Sequence, residues 1–425
     1  MARIVVYAIA YRGDVLPYAP IAAELARRGH DVTFVAPAEL HPVVAAPGVT
    51  TVDADAGEMT PSRLDAYGDY CARWGKVASG AMLLPLYFRR LTVPRVDALV
   101  AAIDPVAEGA DLLVSHPGAA PVASMPFERR GIPWVVADLF PMLTPTADRA
   151  PEGLVPFPTG SSRPARAFHR AAWRIADSAP TRWGLDERRM LEKRAALGLP
   201  TDGWHVMDHR LGPHGNLVLV SPQYFPPASD WGDDYPFVGF TPWTTATDTL
   251  PQAVGDFLAA GPPPVLVCLG TSAASAAPEV FDRAAAALDA LGLRGLYLAS
   301  NDAIARRLGD RPGVWPFVPV GPVLPHVQGV IQAGAHGMNS LVLGAGKPSA
   351  VVPVLFDQLW HARRHESLGT GVRVRGRVTE AKLRTAIGTM LDTRTVRSAQ
   401  EFGARLGTED GVANACAVIE SHLAR

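Results

Sequence analysis

The chain has 425 residues, 48% hydrophobic and 19% charged, a globular composition long enough for two domains of roughly 200 residues each. Lys plus Arg number 40 against 41 Asp plus Glu, and the net charge of -1 excludes a general attraction to nucleic acid or an anionic membrane. Three well-separated cysteines, Cys71, Cys268 and Cys416, make neither a disulfide framework nor a zinc pattern.

The stretch from Arg3 to Ala10 is an almost unbroken apolar run, as a parallel strand buried on both faces requires. It is too short to cross a membrane and lacks a small-residue cleavage site, so it reads as the first strand of a soluble, cytoplasmic protein. A loop is expected over Tyr11–Leu16. PYAPIAAELARRG then reads as a helix, with Pro17 in its first turn and Gly29 at its stop. DVTFVAP is the next strand, and strand–helix–strand implies a right-handed parallel unit. Further strands are expected at Leu112–Ser115 and Trp134–Asp138.

The pattern restarts at Pro264–Gly270 (PVLVCLG). A helix over Glu279–Leu291 and a strand over Gly295–Ser300 follow. More strands fit Val314–Val318, Gly329–Ile331, Ser349–Val354 and Val372–Arg375. Between the halves, Ser221–Trp243 is rich in Pro and aromatics and reads as a semi-rigid linker. The expected layout is therefore α/β, with two Rossmann-like, doubly wound domains facing a central cleft. The boundaries are 1–220, a linker at 221–243, a second domain at 244–408 and a closing helix at 409–425. In such sheets ligands bind beyond the carboxyl ends of the strands, which places the chemistry on the loops there.

One stretch on those loops, IQAGAHGMNSLVLGAGKPSAVVP, is glycine-rich without being a nucleotide fingerprint. Gly334, Gly337, Gly344 and Gly346 do not make G-x-G-x-x-G, and Leu341 stands where a Walker loop before Lys347 needs a glycine. Together with YRGDVLPYAPIAAELARRGHDVTFVAP and the ordered VP, LP, GKP and DQ elements that end at VLFDQLW, this block resembles the GT-B nucleotide-sugar glycosyltransferases of family 1. The similarity is to the branch that glycosylates sterols, glycopeptide antibiotics and other lipophilic natural products.

The resemblance implies that the glycine-rich turn opens a helix whose free amides face the donor diphosphate, around Gly334, His336, Gly337, Asn339 and Ser340. Gly346 followed by Pro348 reads as that helix's stop. The family histidine that donates to a phosphate oxygen is absent. Its gapless position is Ala333, and His336 falls three residues late. Thr271 and Ser272 are expected near the diphosphate, or as an ordinary polar turn. Phe317 and Val318 are expected to meet the nucleobase, or simply to pack. Asp357 and Gln358, the DQ pair, are expected on the sugar hydroxyls, with Asp357 also a natural helix cap.

Asp14, in RGDV, is the expected base, because an alcohol attacking an anomeric carbon must lose its proton. The same residue type would also cap the following helix. His116 follows DLLVS, and an Asp14–His116 pair across neighbouring strand ends would raise basicity or relay the proton. A structural loop histidine is the plainer alternative. The DAD run at Asp53–Asp55 reads as a solvated turn rather than a metal site. Aromatics in two stretches (Tyr67, Tyr70, Trp74, Tyr87, Phe88, Phe140, Phe168, Trp173, Trp183) suit either core or an apolar acceptor pocket.

The expectation is a metal-independent, inverting glycosyltransferase. It takes a UDP- or dTDP-linked sugar as co-substrate, has no cofactor, and acts on a hydroxyl of a lipophilic small molecule. It has no nucleic-acid partner and no stable membrane insertion, and homodimerisation is open. The alternatives are a non-catalytic relative that assists a partner transferase, motivated by Ala333, and a nucleotide-sugar epimerase. A dehydrogenase is disfavoured because YRGDVLP lacks the dinucleotide glycines.

Overall fold

A computed structural model describes residues 1–8, 12–53, 89, 92–142, 144–151, 162–177, 186–233, 235–243, 249–355 and 357–423. The chain forms two compact units. The first holds the described residues up to Thr241 and those from Asp410 onward; the second is Pro242–Glu409.

The sheet of the first unit contains β1 (Arg3–Tyr7), β2 (Asp31–Val35), β3 (Val49–Val52), β4 (Leu112–Ser115), β5 (Trp134–Asp138) and β6 (Asn216–Val218). Its order is β3-β2-β1-β4-β5-β6, and every pairing is parallel. β1, β4 and β5 are the apolar runs of the sequence and are almost wholly buried, as strands covered on both faces must be. The switch in strand order falls between β1 and β4.

The expected loop after β1 is helical instead. Helix α1 (Arg12–Val15) passes through a short 3-10 turn, Leu16–Tyr18, into α2 (Ala19–Arg27). Pro17 and Pro20 both occupy first-turn positions, where proline's fixed φ suits a helix and its missing N–H costs no bond. Helix α3 (Val96–Ala107) packs over Phe127, Trp134 and Val136 through Ile103 and Ala107.

Ser221 to Thr241, expected as a linker, packs within the first unit. Phe237 bridges to Val218 of β6, and the rings of Phe225, Trp231 and Phe237 stack at 5.8–6.2 Å. The Arg149 guanidinium lies 4.0 Å over Phe225. The closing helix, Gly411–Leu423, also belongs to this unit. Its Glu420 meets Arg28 at 2.8 Å and His30 at 3.1 Å, just past α2.

The sheet of the second unit contains β7 (Val265–Val267), β8 (Gly295–Leu298), β9 (Val314–Trp315), β10 (Gly329–Gln332), β11 (Ser349–Val351) and β12 (Gly371–Arg373). Its order, β12-β11-β10-β7-β8-β9, repeats the first topology, again all parallel, with the switch between β7 and β10. Helices α4 (Glu279–Ala290), α5 (His336–Gly344), α6 (Gln358–Leu368), α7 (Glu380–Met390) and α8 (Thr393–Leu406) surround it. Several strands are shorter than their apolar runs. β7 ends at Val267, the Cys268 N–H still donates to the Ile331 carbonyl at 3.0 Å, and Gly270, at φ 77°, turns the chain into the helix Thr271–Ala276. Among the described residues no helix is long and apolar enough to cross a membrane.

Candidate functional site

Asp14, His116, Thr271, Ser272 and the stretch Gly334–Ser340 follow the strands that flank the switch in strand order of their own unit, whereas Phe317 and Val318 follow β9 and Asp357 and Gln358 follow β11. Open parallel sheets bind ligands at the switch.

In the first unit, Asp14 sits in α1 beyond β1, half-buried rather than capping α2. His116 follows β4 directly, and its backbone N–H donates to the Tyr7 carbonyl at 2.9 Å. Its Nδ1 accepts the Gly118 N–H at 3.0 Å, so the neutral ring carries its proton on Nε2. Burial pushes its pKa down to about 4. The expected gain in basicity from an Asp14–His116 pair is therefore corrected, because the environment makes His116 a weaker base and leaves it an N–H donor.

Two groups that the sequence did not single out stand beside these. Tyr18 is fully buried, donates to the Ala137 carbonyl, and sets its ring edge-on to His116 with centroids 6.1 Å apart. Its pKa is raised by burial first, then by the charges of Asp138 and Asp14. Asp138 ends β5 and is buried. Its Oδ1 accepts the Phe140 N–H at 3.0 Å, and its Oδ2 accepts the Tyr235 hydroxyl at 3.1 Å. Thr144 and Tyr235 bond at 2.7 Å. Burial outweighs these bonds and lifts the Asp138 carboxyl to about 6. A polar residue closing the apolar run WVVAD was the available sequence signal.

Of the expected acceptor aromatics, Tyr67, Tyr70, Trp74, Tyr87, Phe88 and Trp183 lie outside the described residues. Phe140 and Trp173 are buried; Phe140 packs edge-on against Phe225, and Trp173 donates to the Arg149 carbonyl. Phe168 is exposed. Asp53 follows β3, and Asp55 lies outside the described residues. Among the described residues no cluster suits a metal ion.

In the second unit, Gly334 follows β10 with φ 97°, which L side chains rarely adopt. A Cβ there would lie 3.0 Å from Val351 Cγ1 and 3.3 Å from the Gln358 carbonyl oxygen, so only glycine fits. Helix α5 then starts at His336 with Ala335 as N-cap, and no side chain caps its first amides. Its far end closes on Gly346, φ 62°, whose N–H reaches the Leu343 carbonyl at 3.0 Å, the stop expected there.

The turn is held from behind. Asn339, fully buried, donates from Nδ2 to the Gly334 carbonyl at 2.9 Å and accepts at Oδ1 from His365 Nε2 at 3.0 Å. His365 Nδ1 accepts from the Thr370 hydroxyl at 2.9 Å. Burial, with the neighbouring His361 second, pushes His365 down to about 3, so this chain runs through a neutral imidazole. Ser340 donates to the Gly337 carbonyl. The Asn339 side chain thus serves the turn, and Ser340 bonds back within α5 itself. His336 is buried and also pushed down to about 3, by burial and then by His361.

Ala333 is 1% exposed and packs in the core with Ile331, Ala350 and Val352. A side chain at that position faces the packed layer. Gln358 corrects its own expectation in part, because its Oε1 accepts the Val354 and Leu355 N–H groups at 2.9 and 2.8 Å and ties down the loop after β11. Asp357 makes no capping bond to α6 and instead accepts from His361 Nε2 at 2.9 Å. Its side chain keeps 19% exposure. Thr271 and Ser272 fall in the first turn after β7. Val318 is core, while Phe317 is 57% exposed.

No family model matches the chain. O-mycaminosyltylonolide 6-deoxyallosyltransferase of Streptomyces fradiae is 26% identical over 432 residues, covering 98% of this chain and 97% of that protein. Sterol 3-beta-glucosyltransferase of Eremothecium gossypii is 25% identical over 448 residues, covering 98% of this chain and 34% of that protein. Among solved structures, the glycosyltransferase VinC in complex with dTDP matches with a TM-score of 0.68 at 16% identity, covering 100% of each chain.

Proposed function

We propose that this chain, a glycosyltransferase of the GT-B type by its fold and its full-length relatives, transfers a sugar with inversion from a nucleoside diphosphate to a hydroxyl of a lipophilic small molecule. The observation that carries this reading is the start of α5. A helix whose first amides have no side-chain cap, opening from a glycine-only turn at the switch in strand order, is a site for an anion. A diphosphate supplies that anion. The dTDP bound to VinC favours a thymidine donor over a uridine one.

On this reading Asp14 takes the proton of the acceptor hydroxyl. The hydroxyl oxygen bonds to the anomeric carbon, and the bond to the diphosphate oxygen breaks with its electron pair. The amides of α5 and the turn Thr271–Ser272 stabilise the departing charge, so the step needs no metal. Asp357 holds the sugar's hydroxyls and fixes the angle of attack. On this reading His116 serves as a neutral N–H donor rather than as a base, which its Nδ1 bond to the Gly118 amide and its lowered pKa support. The backbone at Phe317–Val318 meets the nucleobase.

The rival reading, a non-catalytic relative, drew on Ala333. Its side chain packs in the core, which supports reading its identity as a matter of packing. Calorimetric titration with dTDP and UDP tests the donor site, and turnover of Asp14→Ala tests the base. Nucleotide binding with turnover lowered about a hundredfold or more is the expected pair of results. Absence of nucleotide binding, or full activity in Asp14→Ala, would overturn the reading.

A further inference from the structure

Asp357 occupies the N-cap of α6, where an aspartate ordinarily bends back to accept the free amides of its own helix. It does not do so. Its carboxylate is drawn one turn along the helix to His361, whose Nε2 lies 2.9 Å from Oδ2. A carboxylate only accepts, so the imidazole donates. The His361 ring is wholly buried. Its root is fixed against the glycine-rich turn, since a Cβ on Gly334 would stand 3.5 Å from His361 Cβ. His361 also lies close enough to His336, at the start of α5, to depress its pKa. One buried side chain thus joins the turn that opens the anion site to the carboxylate of the partly exposed Asp357 at the DQ pair.

We propose that His361 is a positioning residue for the donor sugar. It withholds Asp357 from capping α6 and holds the carboxylate in the rotamer that accepts from sugar hydroxyls. The inference rests on the proposed donor site and adds a residue to it. Its consequence is selective. Without the imidazole, Asp357 turns to its own helix amides, an exchange of one hydrogen bond for another that leaves the nucleoside diphosphate site intact. Only the sugar then loses its partner.

The test is a calorimetric comparison of free dTDP with dTDP-glucose on the full chain, in wild type, His361→Ala and His361→Gln. His361→Gln keeps a donor and most of the buried volume, so it guards against a fold-wide effect of the cavity in His361→Ala. The expected result is that His361→Ala loses about tenfold to a hundredfold in dTDP-glucose affinity, the size of one charge-assisted hydrogen bond, with dTDP affinity unchanged. His361→Gln should recover part of the loss. A double cycle with Asp357→Ala should show that the two substitutions together cost no more than Asp357→Ala alone. Equal loss for dTDP and dTDP-glucose, or no loss for either, overturns the inference while leaving the donor site standing. Failure of the wild type to bind dTDP or UDP overturns the donor site and the inference together.

Discussion

Asn339 donates to the carbonyl oxygen of Gly334 at 2.9 Å, and both residues are buried. The bond closes the turn between β10 and α5 across five residues and sets the direction in which the first amides of the helix emerge. Because His365 holds the other end of the same amide, truncation leaves two buried polar groups without partners. Asn339→Ala should therefore cost about 2–4 kcal/mol of stability. Nucleotide affinity should fall with it, since the turn then loses its orientation. Urea unfolding and calorimetric titration read the two effects. A variant as stable as wild type would mean that the backbone alone holds the turn.

The neutral histidines behind that turn predict acid lability. His336 and His365 are pushed down to about 3 by burial, whereas in the unfolded chain each takes up a proton near 6.5. Between those values the unfolded state binds more protons. Stability is therefore full above about 6.5 and is lost as pH falls toward 3. By pH 5 each histidine should remove up to about 2 kcal/mol from the second unit. The unfolding midpoint followed from pH 7.5 to pH 5 checks this, and His365→Gln should flatten the slope by about one proton. A midpoint that does not move would mean that these rings protonate while folded.

The first unit contains a group of the opposite sign. Asp138 is lifted to about 6 by burial, so between about 3.9 and 6 the folded chain holds a proton that the unfolded chain has released. Stability falls as pH rises through that window, and the deficit persists at neutral pH. Asp138→Asn removes the cost of ionising and keeps an oxygen for the Phe140 N–H. It should stabilise the protein at pH 7 by up to about 3 kcal/mol and by little at pH 4. Thermal unfolding at the two pH values is the measurement. No gain at pH 7 would mean that Tyr235 and the Phe140 amide already compensate the charge.

The strands β1, β4 and β5 were legible because a strand buried on both faces must be apolar throughout, and RIVVY, LLVS and WVVAD are nearly so. β3 and β6 were not, being sheet edges of three or four residues with polar members. Asp14, His116 and the turn at Gly334 were legible as residues that follow particular strands. The direction of a side chain was not. Gln358 folds back onto amides three and four residues before it, and Asn339 finds its acceptor in Gly334 and its donor in His365, 26 residues away. Tyr18 looked like one more helix residue, because only the fold brings it to Ala137 and His116.

Ala333 gives the sharpest prediction, because the resemblance and the packing disagree about it. The resemblance places a phosphate-binding histidine there, and on that view Ala333→His should restore a lost contact and tighten nucleotide binding. The packing places the Ala333 methyl in the core layer with Ile331, Ala350 and Val352. An imidazole in that space overfills it, at about 1–3 kcal/mol, and also buries ring nitrogens among apolar side chains. The expected outcome is therefore a less stable protein with no gain in affinity for dTDP or UDP, read by urea unfolding and calorimetry on the same preparation. A variant of unchanged stability that binds nucleotide more tightly would mean the opposite. The side chain at 333 would then reach the ligand, and the missing imidazole would be what limits donor binding in this chain.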